Sequence, residues 1–334
     1  MRIGEIGEFG LIEILSKMVA DSHMSLKSEH GLILGIGDDA AVVNVENSKL
    51  LITTDTLVEN VHFIHDYMPW RNLGWKSMAV NLSDIAAMGG KPSFAVVTLG
   101  LHLETYVENI EELYRGILSA SSSYDCIIIG GDIVKSPTTF VTIAMTGFAE
   151  NGIMQRNNAK PGDLVAVTGF LGCSAAGLQI LKSDRDIHSI INIEHFTKSH
   201  LTPLPRLDIV DCLLDFGINT AMDISDGLID DLSKLCKASG VGAVINRCDI
   251  PIDEFILESF SESECFEFAL NGGEDYELIF TGPSKKVLDL VHLLGDSVEV
   301  IGYITEDSPG NVSIIEKTGM KTNYVHGKGW DHFT

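Results

Sequence analysis

Positive charge is what this sequence has least of. Lys and Arg total 23 against 47 Asp and Glu, a formal net charge of −24 over 334 residues. Nucleic acid and anionic membrane surfaces both need a Lys/Arg footprint, so neither is expected as a partner. Phosphorylated small molecules stay open, because a bound metal ion inverts the local charge. The six cysteines include no CxxC pair and none precedes Cys126; buried free thiols in a reducing compartment are expected. No apolar run approaches bilayer-spanning length. The first residues lack the basic flank and unbroken apolar segment of a secretory signal, so a soluble, cytoplasmic protein is expected. Familiar nucleotide signatures are missing too. There is no GxxxxGK[ST], and Gly169, Gly172 and Gly177 are spaced GxxGxxxxG rather than GxGxxG, with no strand-terminal acid about twenty residues on.

What is present is a repeated pairing of short apolar runs with carboxylates. Leu32–Leu34 leads to Asp38 and Asp39, and Leu50–Ile52 to Asp55. Cys126–Ile129 leads through Gly130 and Gly131 to Asp132; Thr220–Met222 leads to Asp223, Ser225 and Asp226; Phe268–Leu270 leads to Glu274 and Asp275. Apolar runs bounded by turn residues predict buried strands, with the acids where strands leave the core. Clustered carboxylates raise one another's pKa unless a cation neutralises them. Mg²⁺ prefers oxygen ligands and shares carboxylates with substrate phosphates, so a Mg²⁺–phosphate site is one reading. Asx turns or helix caps at each acid are the other.

Along the chain, helical spacing predicts helices over 8–20, 71–88 and 104–122, the last carrying Tyr114. In 71–88 the face bearing Ser77, Asn81 and Asp84 has too few charges for an open surface, so it is expected to be covered. Strands are predicted at 94–101, 127–129 and 140–148. The polar, turn-rich stretch from Glu150 to Asp163 predicts a domain boundary, with Arg156 and Lys160 as cations facing either solvent or a phosphate. Beyond it come a strand at 164–168, helices near 175–181, 207–214, 228–238, 252–260 and 284–294, and strands near 241–246, 276–281, 297–303 and 311–316. AMDISDGLIDDL resembles a calcium loop, but its glycine is misplaced and the closing Glu is missing. The expectation is an α+β protein of two mixed domains, 1–150 and 151–334. His62, between Val and Phe, reads as structural, and Trp330 in the tail should pack on something.

These motifs together resemble the thiamine-monophosphate kinase family, within the superfamily of aminoimidazole-ribotide synthetase and selenophosphate synthetase. The matching blocks are GEFGLI at 7–12, GIGDDAAV at 35–42, TTDTLVENVHF at 53–63, NLSDIAAMGGKP at 81–92 and GGD at 130–132. LTPLPR at 201–206, DISDGL at 223–228, NGGEDYEL at 271–278 and GWDHF at 329–333 continue in the family's order. The reactive Cys or selenocysteine expected of selenophosphate synthetase near the N-terminus is absent.

The resemblance implies ATP-dependent phosphorylation of thiamine monophosphate to thiamine diphosphate, the last step in making that coenzyme. It implies a homodimer formed by the N-terminal sheet domains, a metal- and ATP-binding role for 1–150, and a C-terminal α/β domain, 151–334, that completes the site. Asp39, Thr53, Thr54, Asp55, Asp84, Asp132, Asp223 and Asp226 would hold several Mg²⁺ ions. Gly131, Asp132, Arg156, Ser225 and Tyr114 would contact ATP; His62, Glu274 and Trp330 would contact the thiamine moiety or its phosphate. That reverses the plain structural readings of His62 and Arg156. Residues 183–195 and 284–317 match only loosely and carry no role. An acceptor phosphomonoester, with a second pKa of about 6, is largely a dianion at neutral pH and needs no general base. Positioning and charge neutralisation are then the task, and no acid–base residue or phosphoenzyme nucleophile is expected. A metal-dependent phosphohydrolase and a non-catalytic nucleotide-binding scaffold are the alternatives.

Overall fold

The computed structural model describes residues 10, 12–14, 31–45, 48–182 and 192–324. Of the helix expected over 8–20, residues 10 and 12–14 are described and are helical; the remainder lies outside the described residues, as does Trp330.

Six strands form the first sheet: β1 (Leu32–Leu34), β2 (Ala41–Val45), β3 (Ser48–Val58), β4 (Lys91–Leu101), β5 (Ile127–Lys135) and β6 (Phe140–Ala149), in the order β1-β2-β3-β6-β4-β5. Only β4 and β5 run parallel. β6 alternates strictly, burying Val141, Ile143 and Met145 on one face, the period-two pattern of a sheet covered on one side. The cover is α1 (Trp70–Ala87), backed by α2 (Val107–Ser123). Leu82, Ile85, Leu113 and Ile117 close the core with Val42 and Leu51.

The two helices cross closely because glycines meet there. A Cβ on Gly74 would overlap the Leu113 carbonyl oxygen, and one on Gly116 the Arg71 carbonyl oxygen. α1 is buried on nearly every side, Ser77, Asn81 and Ser83 included, so the expectation of a covered second face holds. The helix satisfies part of its own polar face: Ser77 Oγ donates to Leu73 O (2.7 Å) and Asn81 Nδ2 to Ser77 O (3.1 Å).

The second sheet holds β7 (Leu164–Thr168), β8 (Thr220–Asp223), β9 (Gly242–Asn246), β10 (Leu278–Gly282), β11 (Val298–Thr305), β12 (Val312–Ile315) and β13 (Lys321–Tyr324). Their order is β13-β12-β9-β11-β7-β10-β8, with β12 and β9 parallel. Around it lie α3 (Cys173–Lys182), α4 (Ile193–Leu201), α5 (Val210–Asp215), α6 (Leu228–Ser239), α7 (Glu254–Ser259), α8 (Glu262–Asn271) and α9 (Ser284–Leu294). β8 and β10 are buried along their whole length. α1 reaches β8, and Ala87 and Met154 join a core otherwise made of second-sheet residues and their helices. The architecture is α+β, two mixed sheet-and-helix units.

Several local expectations change. Asp55 and Asp132 do not mark strand ends: Asp55 pairs with Ile143 well inside β3, and Asp132 with Thr98 inside β5. A strand wall facing a polar pocket carries Thr and Asp in its pleat, so its apolar run understates its length. Phe268–Leu270 is the last part of helix α8 rather than a strand, and that helix starts at a capping box of Ser261 and Glu264. α4 and β13 were not expected.

Candidate active site

The acids come together where the two sheets meet. Asp39 comes from the β1–β2 turn, Asp84 from the last turn of α1, and Asp223 ends β8. Their nearest carboxylate oxygens all lie within 4.8 Å of one another. Asp55 of β3 lies against Asp84. Thr53 Oγ1 donates to Asp84 Oδ2, and Ser83 Oγ to Asp223 Oδ2 (2.7 Å). Thr54 spends its hydroxyl on the Ile143 carbonyl (3.1 Å).

Burial and mutual repulsion raise these acids together. Burial is the main cause at Asp84, followed by the charges of Asp55, Asp223 and Asp39; at Asp223 it is burial, then Asp39 and Asp231. Asp55 is raised by burial, with its contact to Asp84 pulling the other way. Asp39 is pushed up to about 6 by burial, although Arg156 opposes the shift. Its Oδ2 is buried without a hydrogen-bond partner, an unsatisfied acceptor that costs stability unless something binds it. Buried hard oxygen donors with one orphaned lone pair fit a Mg²⁺-type cation.

Two protein cations stand on the rim. Arg156 Nε lies 3.2 Å from Asp38 Oδ1, and Nη2 pairs with Asp39; it faces the acids rather than solvent. Lys234 pairs with Asp226 and, at 2.8 Å, with Asp231. Asp231 also shapes the loop that presents Ser225 and Asp226. Its Oδ2 accepts the backbone N–H of Ser225, Asp226 and Gly227 at 3.0, 2.9 and 3.1 Å.

Beside the acids opens a cavity of about 970 Å³ walled by both units. Asp55, Asp84, Asp223, Ser225 and Asp226 line one end, and His62, His200 and Glu274 another part of the wall. His62 Nδ1 accepts the Val58 N–H (3.0 Å). Glu274 sits at φ 57°, a strained position for a residue with a Cβ. Its N–H is bonded to Ser225 O (2.7 Å) and its carboxylate lies 2.8 Å from Lys76 Nζ and 3.4 Å from His200 Nδ1. Burial works to raise Glu274, but Lys76 and His200 outweigh it and hold it below its ordinary value. Lys76 is only 1% exposed. Neither Lys76 nor His200 carries a motif signal, whereas Asp231 and Lys234 stand in the acidic DISDGLIDDLSK stretch and were within reach.

The remaining expected residues are not gathered here. Asp132 is exposed on edge strand β5, its Oδ1 accepting the Ile133 N–H (2.9 Å), and neither it nor Gly131 lines the cavity. Tyr114 lies half-buried on α2 against the first core.

Both halves match a known family. The AIR synthase related protein, N-terminal domain, matches residues 37–149, and the C-terminal domain of the same family matches 160–315. Two mixed sheets meeting over buried acids thus make this an AIR synthase related protein in class. The thiamine-monophosphate kinase of Escherichia coli (strain K12) is 38% identical over 98% of each chain, and that of Aquifex aeolicus (strain VF5) 35% over the whole of both. The solved structure of AaThiL complexed with AMPPCP and TMP superposes with a TM-score of 0.83 at 34% identity over 99% of each chain. Hydrogenase maturation protein HypE in complex with ATP, 17% identical over 93% of this chain and 95% of its own with a TM-score of 0.68, shares the fold alone. The chain belongs to the thiamine-monophosphate kinase family, and it is an enzyme of kinase type.

Proposed function

We propose that this protein transfers the γ-phosphoryl group of ATP directly, in line, to the phosphate of thiamine monophosphate, giving thiamine diphosphate and ADP as the last step of that coenzyme's synthesis. One observation carries the reading: buried carboxylates from both units converge at the wall of a cavity large enough for two ligands. The AaThiL complex with AMPPCP and TMP supports the pairing of a nucleotide with the acceptor.

In this reading Asp39, Thr53, Asp55, Asp84, Asp223 and Asp226 hold Mg²⁺, with Thr54 and Asp132 as further ligands. Bound Mg²⁺ supplies neutralisation of the two phosphates and a template for their alignment. Arg156 and Ser225, with Gly131 and Tyr114, contact ATP. Arg156 is already oriented by Asp38 and Asp39, so its guanidinium keeps a fixed place. His62, Glu274 and Trp330 take the acceptor. Glu274, kept ionised chiefly by Lys76, offers a fixed negative charge to the thiazolium cation. The acceptor is already a dianion at neutral pH, so no side chain is asked to move a proton. Residues 1–150 serve metal, ATP and dimer contacts, and 151–334 complete the site.

We also infer a homodimer closed on the β5 edge, where Ile127, Ile129 and Ile133 are 59–65% exposed. A long apolar edge strand invites pairing, and Asp132, which lies on that strand, would then stand in the interface. Among the described residues no helix is long and apolar enough to cross a membrane; a cytoplasmic location belongs to the same proposal.

The test is chromatography of products from purified protein, MgATP and thiamine monophosphate. Equal amounts of ADP and thiamine diphosphate are expected. Phosphate release without thiamine diphosphate would instead mean a phosphohydrolase, and nucleotide binding without turnover a scaffold.

A further inference from the structure

A second set of donors lies away from the carboxylate cluster. Cys173 opens α3, His195 sits in the first turn of α4, and Asp253 is the N-cap of α7. Their donor atoms all lie within 4.8 Å of one another. The three elements share a small apolar cluster containing Ala176, Ile180, Phe196 and Ile256, so their relative placement is set by packing and not by the donors.

We propose that Cys173, His195 and Asp253 bind one zinc-class divalent transition-metal ion that ties α3, α4 and α7 together. A thiol, an imidazole and a carboxylate form a borderline-soft set that suits zinc and leaves Mg²⁺ and Ca²⁺ ill served. Metal–ligand bonds of about 2.0–2.3 Å in a tetrahedron put donors roughly 3.3–3.8 Å apart. His195 Nε2 and Asp253 Oδ2 are already 3.4 Å apart, and the set needs at most a small further closure. Asp253 can give that oxygen, because its Oδ1 takes the capping bond from Phe255 N (2.8 Å). Cys173 and Asp253 form a buried inner wall while the His195 side chain is 43% exposed. The ion therefore has an entry side, and its fourth position faces water.

On binding, the thiol proton leaves to solvent and the sulfur lone pair goes to the metal. The site also backs onto the cavity: Ser174 Oγ lies 3.1 Å from His200 Nδ1, and His200 contacts Glu274.

The experiment strips the full-length protein of metal and titrates it with Co²⁺, following the sulfur-to-cobalt charge-transfer band, which the all-oxygen carboxylate cluster cannot produce. One equivalent should develop the band and Zn²⁺ should abolish it. The exposed Cys248 is the competing thiol, so Cys248→Ser should keep the band and Cys173→Ser should lose it. His195 is a surface residue whose replacement leaves the packing in place. His195→Ala should therefore fold and require at least about tenfold more cobalt, no less than is typical when an outer-shell partner is lost. Absence of the band, its survival in Cys173→Ser, its loss in Cys248→Ser, or an unchanged titration in His195→Ala would each overturn the site.

Discussion

At the scale of single residues, the site is a concentration of like charge that the bare chain tolerates poorly. Asp84 is raised by burial and by three neighbouring acids, so Asp84→Asn should relieve repulsion in the metal-free protein. Its melting temperature should rise by roughly 2–4 °C, what about 1 kcal/mol is worth in a chain of a few hundred residues, while turnover with MgATP is lost. A lower melting temperature would mean the acid is held by partners the cluster does not show. His200 makes a pH prediction. Burial, then Lys76, push it down to about 3 from 6.5. Below pH 6.5 the unfolded chain takes up a proton that the folded chain refuses, so stability falls as pH falls from 6.5 toward 3, by about 1.4 kcal/mol per unit. His200→Gln should therefore lose about 2 kcal/mol less than the native chain between pH 7 and pH 5, measured by urea unfolding. An identical loss in both would remove His200 as the cause. The acids were legible in the sequence because their type and their apolar leads repeat. Lys76 and His200 were not, since one charge among apolar neighbours looks alike whether it meets water or a carboxylate.

At the scale of elements, α1 was read with its burial because Ser77 and Asn81 stand on the face where a surface helix would carry Lys and Glu. The longer reach of β3 and β5 was missed for the opposite reason. Polar residues in their pleats serve a pocket and an edge, so hydrophobicity stops before the strand does. α8 offered Ser261 and Glu264 at capping-box spacing, a local signal that the apolar run Phe268–Leu270 obscured. The glycine crossing of α1 and α2 carries a prediction of its own. Gly116→Ala places a methyl group on the Arg71 carbonyl and should cost about 3 kcal/mol in urea unfolding, at the upper end of ordinary overpacking. A loss below about 0.5 kcal/mol would show that the two helices can move apart freely.

At the scale of the whole molecule, the proposed dimer and the proposed activity can be tested together. Ile127→Lys, on the exposed edge and away from Gly131, should give a monomer in sedimentation velocity. If the partner supplies Asp132, turnover should fall with it. A fully active monomer would mean that each chain completes its own site. The polar stretch before Asp163 lies between the last strand of the first sheet and the first strand of the second, but the meeting of the two sheets was not legible, because contacts between Asp84 and Asp223 join positions far apart in the chain. α1 spans that meeting. Gly74 seats it on α2, Asp84 delivers it to the acids, and Ala87 enters a core of the second unit. From Gly74 to Asp84 is roughly 15 Å of helix, each residue turning the chain by about 100°. Inserting or deleting one residue in that interval would swing Asp84 off the cluster or pull Gly74 off its crossing, with no loop to absorb the change. The helix is thus a ruler of fixed length, and variation in chain length across this fold must be accommodated elsewhere.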